Sequence, residues 1–214
     1  MESVLIPGST AARILDAAEQ LFARRGYYGV SIREVAAASR TELSLTRYHF
    51  GSKDELFRQV IARRAEPVTQ ATYRALQEAL LANNNEPLSA EIIVCAFITP
   101  LARLPTEQIG WRYYLKLMIH SDSLSDRPEL LKPLRDAYKP VFEFYVAELV
   151  RGGYARERAS WLMYFIHWMI GHMAFEVYEL EQLSEGLCSS SDHDTLIARV
   201  MSFTIGGAAA LGSI

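Results

Sequence analysis

The stretch Thr46-Arg47-Tyr48-His49-Phe50-Gly51-Ser52-Lys53-Asp54-Glu55-Leu56 constrains the fold more than any other part of the chain. Phe50 closes an apolar helical pattern and Gly51 is the residue type that takes the left-handed conformation ending a helix. Ser52 and Glu55 stand at the spacing of a capping box for the next helix. Two helices meeting at a tight junction are expected. Arg47, Tyr48, His49 and Lys53 crowd that junction with groups that donate hydrogen bonds to phosphate oxygens or lie flat against a sugar, which points to a nucleic-acid surface.

A chain of 214 residues, half of them hydrophobic, buries a sizeable core. The net charge of -3 excludes a protein that coats DNA through bulk charge. Charge is unevenly placed, however: residues 1–66 hold ten Lys or Arg against eight Asp or Glu, and the remainder holds twelve against seventeen. A neutral-to-basic head on an acidic body fits a module that meets DNA beside a domain that does not. Cys95 and Cys188 are too few for a disulfide framework and no signal-peptide pattern opens the chain, so a cytoplasmic location is expected. The most apolar stretch, Leu162 to Phe175, is interrupted by His167, Gly171 and His172. It falls short of the ~20 residues that cross a bilayer, so no membrane partner is expected.

Met1 to Ser9 has no periodicity and is expected to be a loose arm ending at a cap, Ser9 or Thr10. Ile14, Leu15, Ala18, Leu21 and Phe22 then recur at helical spacing, with Arg24 and Arg25 before Gly26. Ser31 and Glu34 form a second capping box for a short helix burying Ile32, Val35 and Ala36, and a polar turn, Ser39 to Glu42, leads to a third helix, Leu43 to His49. Two short helices need the first as a platform, and the DNA-binding form of this motif lays the later helix in the major groove. A fourth helix from Ser52 buries Leu56, Phe57, Val60 and Ile61; Pro67 is expected to kink or interrupt it before Asn83.

Ile14-Leu15-Asp16-Ala17-Ala18, Leu21 to Tyr27, Ser31 to Ala36 and Tyr48 to Leu56 together resemble the DNA-binding head of the tetracycline-repressor (TetR) family of bacterial regulators, over residues 10–61. The resemblance implies an all-α protein with a three-helix, helix-turn-helix head in residues 1–51, a linking fourth helix in 52–82, and a helical ligand-binding and dimerising body in 83–214. It places Ser31 and Arg33 near the DNA backbone, Tyr48, His49 and Lys53 on phosphates, and Glu42, Leu43, Ser44 and Arg47 on base edges. Ser39-Arg40-Thr41 and Thr46-Arg47 depart from the family pattern, so base contacts peculiar to this chain are expected. Arg47 has the geometry to read guanine bidentately, and Leu43 or Leu45 to meet a thymine methyl.

From Pro87 onward the pattern is continuously helical, with helices expected at about 88–103, 106–120, 127–151, 155–185 and 193–210. Asp126 is the expected cap of the third, with Pro128 in its first turn and Pro133 and Pro140 bending it. The helix at 155–185 carries two stripes, Trp161, Phe165, Trp168, His172 and Phe175 on one side and Leu162, Ile166, Met169, Met173 and Val177 on the other. One stripe lines the interior and the other meets a partner. The resemblance implies a homodimer through the helices at 155–185 and 193–210, and the small residues Gly206 to Ala210 suit close helix approach.

Pocket candidates in the body are Phe97, Leu101, Trp111, Tyr114, Met118 and Tyr138, together with Phe142, Tyr145, Tyr164, Phe165, Trp168 and His172. Arg112, Lys116, Arg135 and Lys139 are candidates for an anionic head group at the mouth. The partners expected are double-stranded operator DNA, a second copy, and a small apolar or amphipathic effector such as a fatty acid or acyl-CoA, with no cofactor. An enzyme is not expected: no H-E-x-x-H, G-x-S-x-G or phosphate-loop pattern occurs, and His172 with Glu176 gives only two metal ligands. The rival reading is a helical small-molecule-binding protein that has lost specific DNA binding.

Overall fold

Ser9 opens the first helix by accepting from Ala12 N at 3.1 Å, and α1 (Thr10–Arg25) closes where Gly26 N donates to the Phe22 carbonyl. α2 (Ile32–Ala38) starts on the complete capping box expected of Ser31 and Glu34, and α3 (Leu43–Phe50) follows after a short turn. The structure is a computed structural model that describes residues 8–107, 113–114, 116–118, 123–173, 177–188 and 193–213. No strand occurs among the described residues, and the fold is all-α.

α4 (Lys53–Ala82) runs through Pro67 without ending there. Its buried positions Ile61, Ala65, Val68, Thr72, Leu76 and Leu80 continue at helical spacing on both sides of the proline, so the apolar stripe holds the helix across the lost backbone donor. Only half of the expected cap of α4 forms. Ser52 Oγ accepts from Glu55 N at 3.1 Å, but the Glu55 carboxylate is engaged by Arg58 and Gln59, and Ser52 N donates to the Phe50 carbonyl.

α5 (Ala90–Glu107) is followed, after residues outside the description, by a 3-10 turn (Pro128–Leu131) and α6 (Lys132–Arg151). Asp126 does not cap α6; Arg127 precedes the 3-10 turn, and the Asp126 carboxylate accepts from the Tyr28 hydroxyl at 2.6 Å. The helix expected over 155–185 is described as α7 (Arg156–Met173) and α8 (Val177–Leu183), and α9 (His193–Ser213) ends the chain's helices.

The chain forms two compact units, residues 1–66 with 108–137, and residues 67–107 with 138–214. The segment 108–137 groups with residues 1–66. In the first unit Phe57 meets Phe22 and Tyr27 edge-on at 5.1 and 5.2 Å, and Leu117, Leu124 and Leu130 complete the same core. Buried aromatic pairs of this kind add about 1 kcal/mol each beyond the area they bury. In the second unit Phe97 and Tyr145 meet edge-on at 5.1 Å among Leu76, Ile93, Val146 and Leu149, and α9 packs against α5 and α7 through Val200 and Ala208.

Candidate functional site

The exposed face of α3 is set by what the helix buries. Thr46 and Phe50, one turn apart, are its buried residues; the Thr46 hydroxyl stays satisfied by donating to the Glu42 carbonyl, with Thr41 Oγ1 beside it at 3.3 Å. Leu45 is consequently turned to solvent, 43% exposed. Glu42, Ser44, Arg47 and Tyr48 share that exposed side, with Tyr48 82% exposed, while Leu43 and His49 are half-buried. His49 lies between Tyr48 and Phe50, at ring distances of 5.4 and 6.1 Å.

Gly51, at φ 63°, makes the turn from α3 into α4 in a conformation that strains any residue with a Cβ. That turn brings Lys53 to the surface beside α3. Lys53 Nζ stands 4.1 Å over the Tyr27 ring, and its partial burial lowers its pKa. Tyr27 donates its hydroxyl to Asp54, whose other oxygen accepts from Arg127 Nη2 at 2.5 Å. Burial and the Asp54 carboxylate push the Tyr27 hydroxyl up to about 12, while the bonds from Tyr27 and Arg127 hold Asp54 below its ordinary value. Lys53 is therefore seated on a ring that is itself fixed, which leaves its side chain less freedom to lose on forming a contact.

Ser31 and Arg33 are exposed at the start of α2. The Ser31 hydroxyl already serves the cap, donating to Glu34 Oε2 at 2.8 Å, and Arg25 bridges α1 to the same carboxylate group at 2.8 Å. The bonds from Ser31, with the Arg25 guanidinium, lower the Glu34 pKa to about 2. Behind this surface the nearly fully buried Glu19 accepts from both Arg63 and Arg64 of α4, which ties α4 to α1.

Two family models match the chain: bacterial regulatory proteins of the tetR family over residues 14–60, and the tetracyclin repressor-like C-terminal domain over residues 95–207. The chain belongs to the TetR family. Its head is 49% identical over 51 residues to the HTH-type transcriptional repressor Rv3405c of Mycobacterium tuberculosis, a match spanning 24% of this chain and 27% of that protein. The likeness to that curated relative thus spans about a quarter of the relative's length. Two solved TetR-like folds extend over nearly all of it. GusR of Salmonella enterica has a TM-score of 0.63 at 17% identity, covering 99% of this chain and 100% of that one. The fatty acid degradation regulator FadR of Bacillus halodurans has a TM-score of 0.63 at 14% identity, covering 94% and 96%. At these identities the likeness concerns the fold alone.

The body candidates fall into separate places. Phe97 and Tyr145 are buried in the core of the second unit, and Leu101, Tyr138 and Phe142 pack against it half-buried. Tyr164 and Phe165 are about half exposed on the outer side of α7 beside Trp161, and Trp168 is half-buried. Tyr114 is buried in the first unit, where Met118 packs against the core of the head. Trp111, Arg112, Phe175 and the His172 side chain lie outside the described residues. The two stripes of α7 are now distinguished: Leu162 and Ile166, with Met163 and Ile170, face the core, and Trp161 and Phe165 face out.

Tyr27, Asp54 and Arg127, which set Lys53, are absent from the sequence-based site. Asp54 carries a signal only as an acidic first-turn residue, and Arg127 carries none, because its partner is 73 residues away. His167, which interrupts the apolar stretch of α7, lies against the Tyr138 ring at 4.4 Å. No group of three His, Cys, Asp or Glu side chains that could hold a metal occurs among the described residues, and none of their helices is long and apolar enough to cross a membrane.

Proposed function

We propose that this protein is a homodimeric transcriptional repressor that holds a palindromic operator through α2 and α3 and leaves it when a small apolar or amphipathic molecule occupies the body. The observation that carries the reading is the outward row Ser44, Leu45, Arg47 and Tyr48 on α3, with Glu42 just before it, flanked by Lys53 on its aromatic seat. An exposed arginine and leucine on one helix face offer a base-edge donor fork and an apolar contact for a thymine methyl, and the tyrosine and lysine beside them suit the phosphates.

A second copy would cover the outer face of α7 and α9. Phe165 on α7 and Phe203 on α9 leave large apolar surfaces exposed, and Gly206 and Gly207 have open space where a Cβ would stand, so a facing helix can approach closely. In the dimer two α3 helices would reach successive major grooves, about 34–36 Å apart along the duplex. An effector favouring another head spacing by a few kcal/mol would empty the operator.

The test is selection of bound sequences from a random duplex pool at physiological salt. A palindrome with half-sites one helical turn apart supports the reading. A folded, dimeric protein that enriches no motif overturns it in favour of a helical small-molecule binder.

A further inference from the structure

Tyr138 on α6 and His167 on α7 form an unusual pair inside the second unit. Their rings lie 4.4 Å apart at an interplanar angle of 37°, with Phe97 and Phe142 at 6.4 and 6.0 Å from the Tyr138 ring. The Tyr138 hydroxyl is buried and has no hydrogen-bond partner among the described residues, whereas the neighbouring Tyr145 hydroxyl donates to the Thr72 carbonyl at 2.8 Å. An unmet buried hydroxyl costs free energy that a packed core of phenylalanine would avoid. Burial alone moves both groups, the Tyr138 hydroxyl upward and His167 down to about 4; no charged side chain among the described residues contributes to either shift. At neutral pH the pair is therefore uncharged, and a neutral imidazole offers one donor and one acceptor.

Phe142 connects this pair to the surface. Besides packing on Tyr138 it lines a groove of about 650 Å3 between α6 and α7, with Trp161, Tyr164 and Ser160 on the wall. That volume is within the range of small-molecule sites. Arg156, the cation on the groove's lining, already pairs with Glu143.

We infer that Tyr138 and His167 are the polar anchor of the effector site, and that the effector is a flat, largely apolar molecule bearing a neutral hydroxyl that meets Tyr138 behind Phe142. The inference rests on the proposed ligand response of the body and narrows its ligand class. An ionised carboxylate brought to this pair would lose its hydration without gaining a cation, a cost that a neutral hydroxyl escapes.

Titration of the full-length dimer with 1-naphthol and with 1-naphthoate, followed by calorimetry, decides the matter, because the two share a ring system and differ in the charge of the head group. The wild-type protein is expected to bind the naphthol at least about tenfold more tightly, because the naphthoate carboxylate loses its hydration at a site that offers no cation. Tyr138→Phe, which keeps the ring and removes only the unmet hydroxyl, is expected to remain folded and to weaken naphthol binding about fivefold, the worth of one neutral hydrogen bond. Equal or tighter binding of the naphthoate, no binding of the naphthol, or an undiminished naphthol affinity in Tyr138→Phe overturns the assignment. These titrations contain no DNA and the sequence selection contains no ligand, so failure of the anchor and failure of the repressor reading show up separately.

Discussion

Arg127 donates to Asp54 at 2.5 Å and joins the 3-10 turn before α6 to the first turn of α4, in the same compact unit. Asp54 receives Tyr27 on its other oxygen, and Tyr27 carries Lys53 on its ring face. One carboxylate thus fixes the platform of a surface lysine from two directions.

Because these bonds depress the Asp54 pKa, their contribution to stability is present above the ordinary aspartate value of about 3.9 and is lost as pH falls through the folded value. Asp54→Asn should flatten the acid limb of a stability-versus-pH curve below about pH 4, measured by urea unfolding. An acid limb of unchanged slope would show that the pair contributes nothing. Arg127→Ala should have a smaller effect, because its side chain is one-third exposed and the Tyr27 bond survives.

Glu19 is nearly fully buried under Arg63 and Arg64, and the buried Arg63 Nε has no acceptor among the described residues. Glu19→Ala would leave two guanidinium groups short of their shared counter-charge. We expect a loss of about 3 kcal/mol in unfolding free energy, since breaking one side of a buried ion cluster costs far more than an exposed pair. A loss below about 1 kcal/mol would mean that water or a rearranged Asp16 replaces it.

Tyr145 and Tyr138 make a controlled comparison. Tyr145→Phe removes a buried bond to the Thr72 carbonyl and should cost about 1 kcal/mol. Tyr138→Phe removes a hydroxyl with no partner among the described residues and should leave the melting temperature unchanged or higher. Equal losses in the two variants would show that the Tyr138 hydroxyl is satisfied after all.

On a selected operator, Lys53→Ala should weaken binding to every sequence alike and lower the salt slope by about one unit per head. Arg47→Ala should instead shift preference at a single base pair, by about 1–3 kcal/mol. If Arg47→Ala lowers affinity uniformly across operator variants, Arg47 is a phosphate contact.

Much of the head was legible from sequence because its determinants are local. The cap at Ser9, the Ser31–Glu34 box, the glycine turn at Gly51 and the spacing of Ile14, Leu15, Ala18 and Phe22 act within a turn or two of chain, and each appears in the structure where the residues place it. The TetR family was equally legible, since those local signals fall in one register.

The amino-acid sequence by itself determined that the chain is helical, where the head begins and turns, and that α7 is apolar on two sides. Only the tertiary structure decided which side is covered: Leu162 and Ile166 go inward and Trp161 and Phe165 outward because α5 and α9 pack against one flank of α7. It likewise chose Thr46 over Leu45 for burial under α3 and matched Arg127 with Asp54 and His167 with Tyr138. The physical reason is common to all of these: helical spacing makes a face available, but burial is a property of the elements that meet it, and those lie far away along the chain.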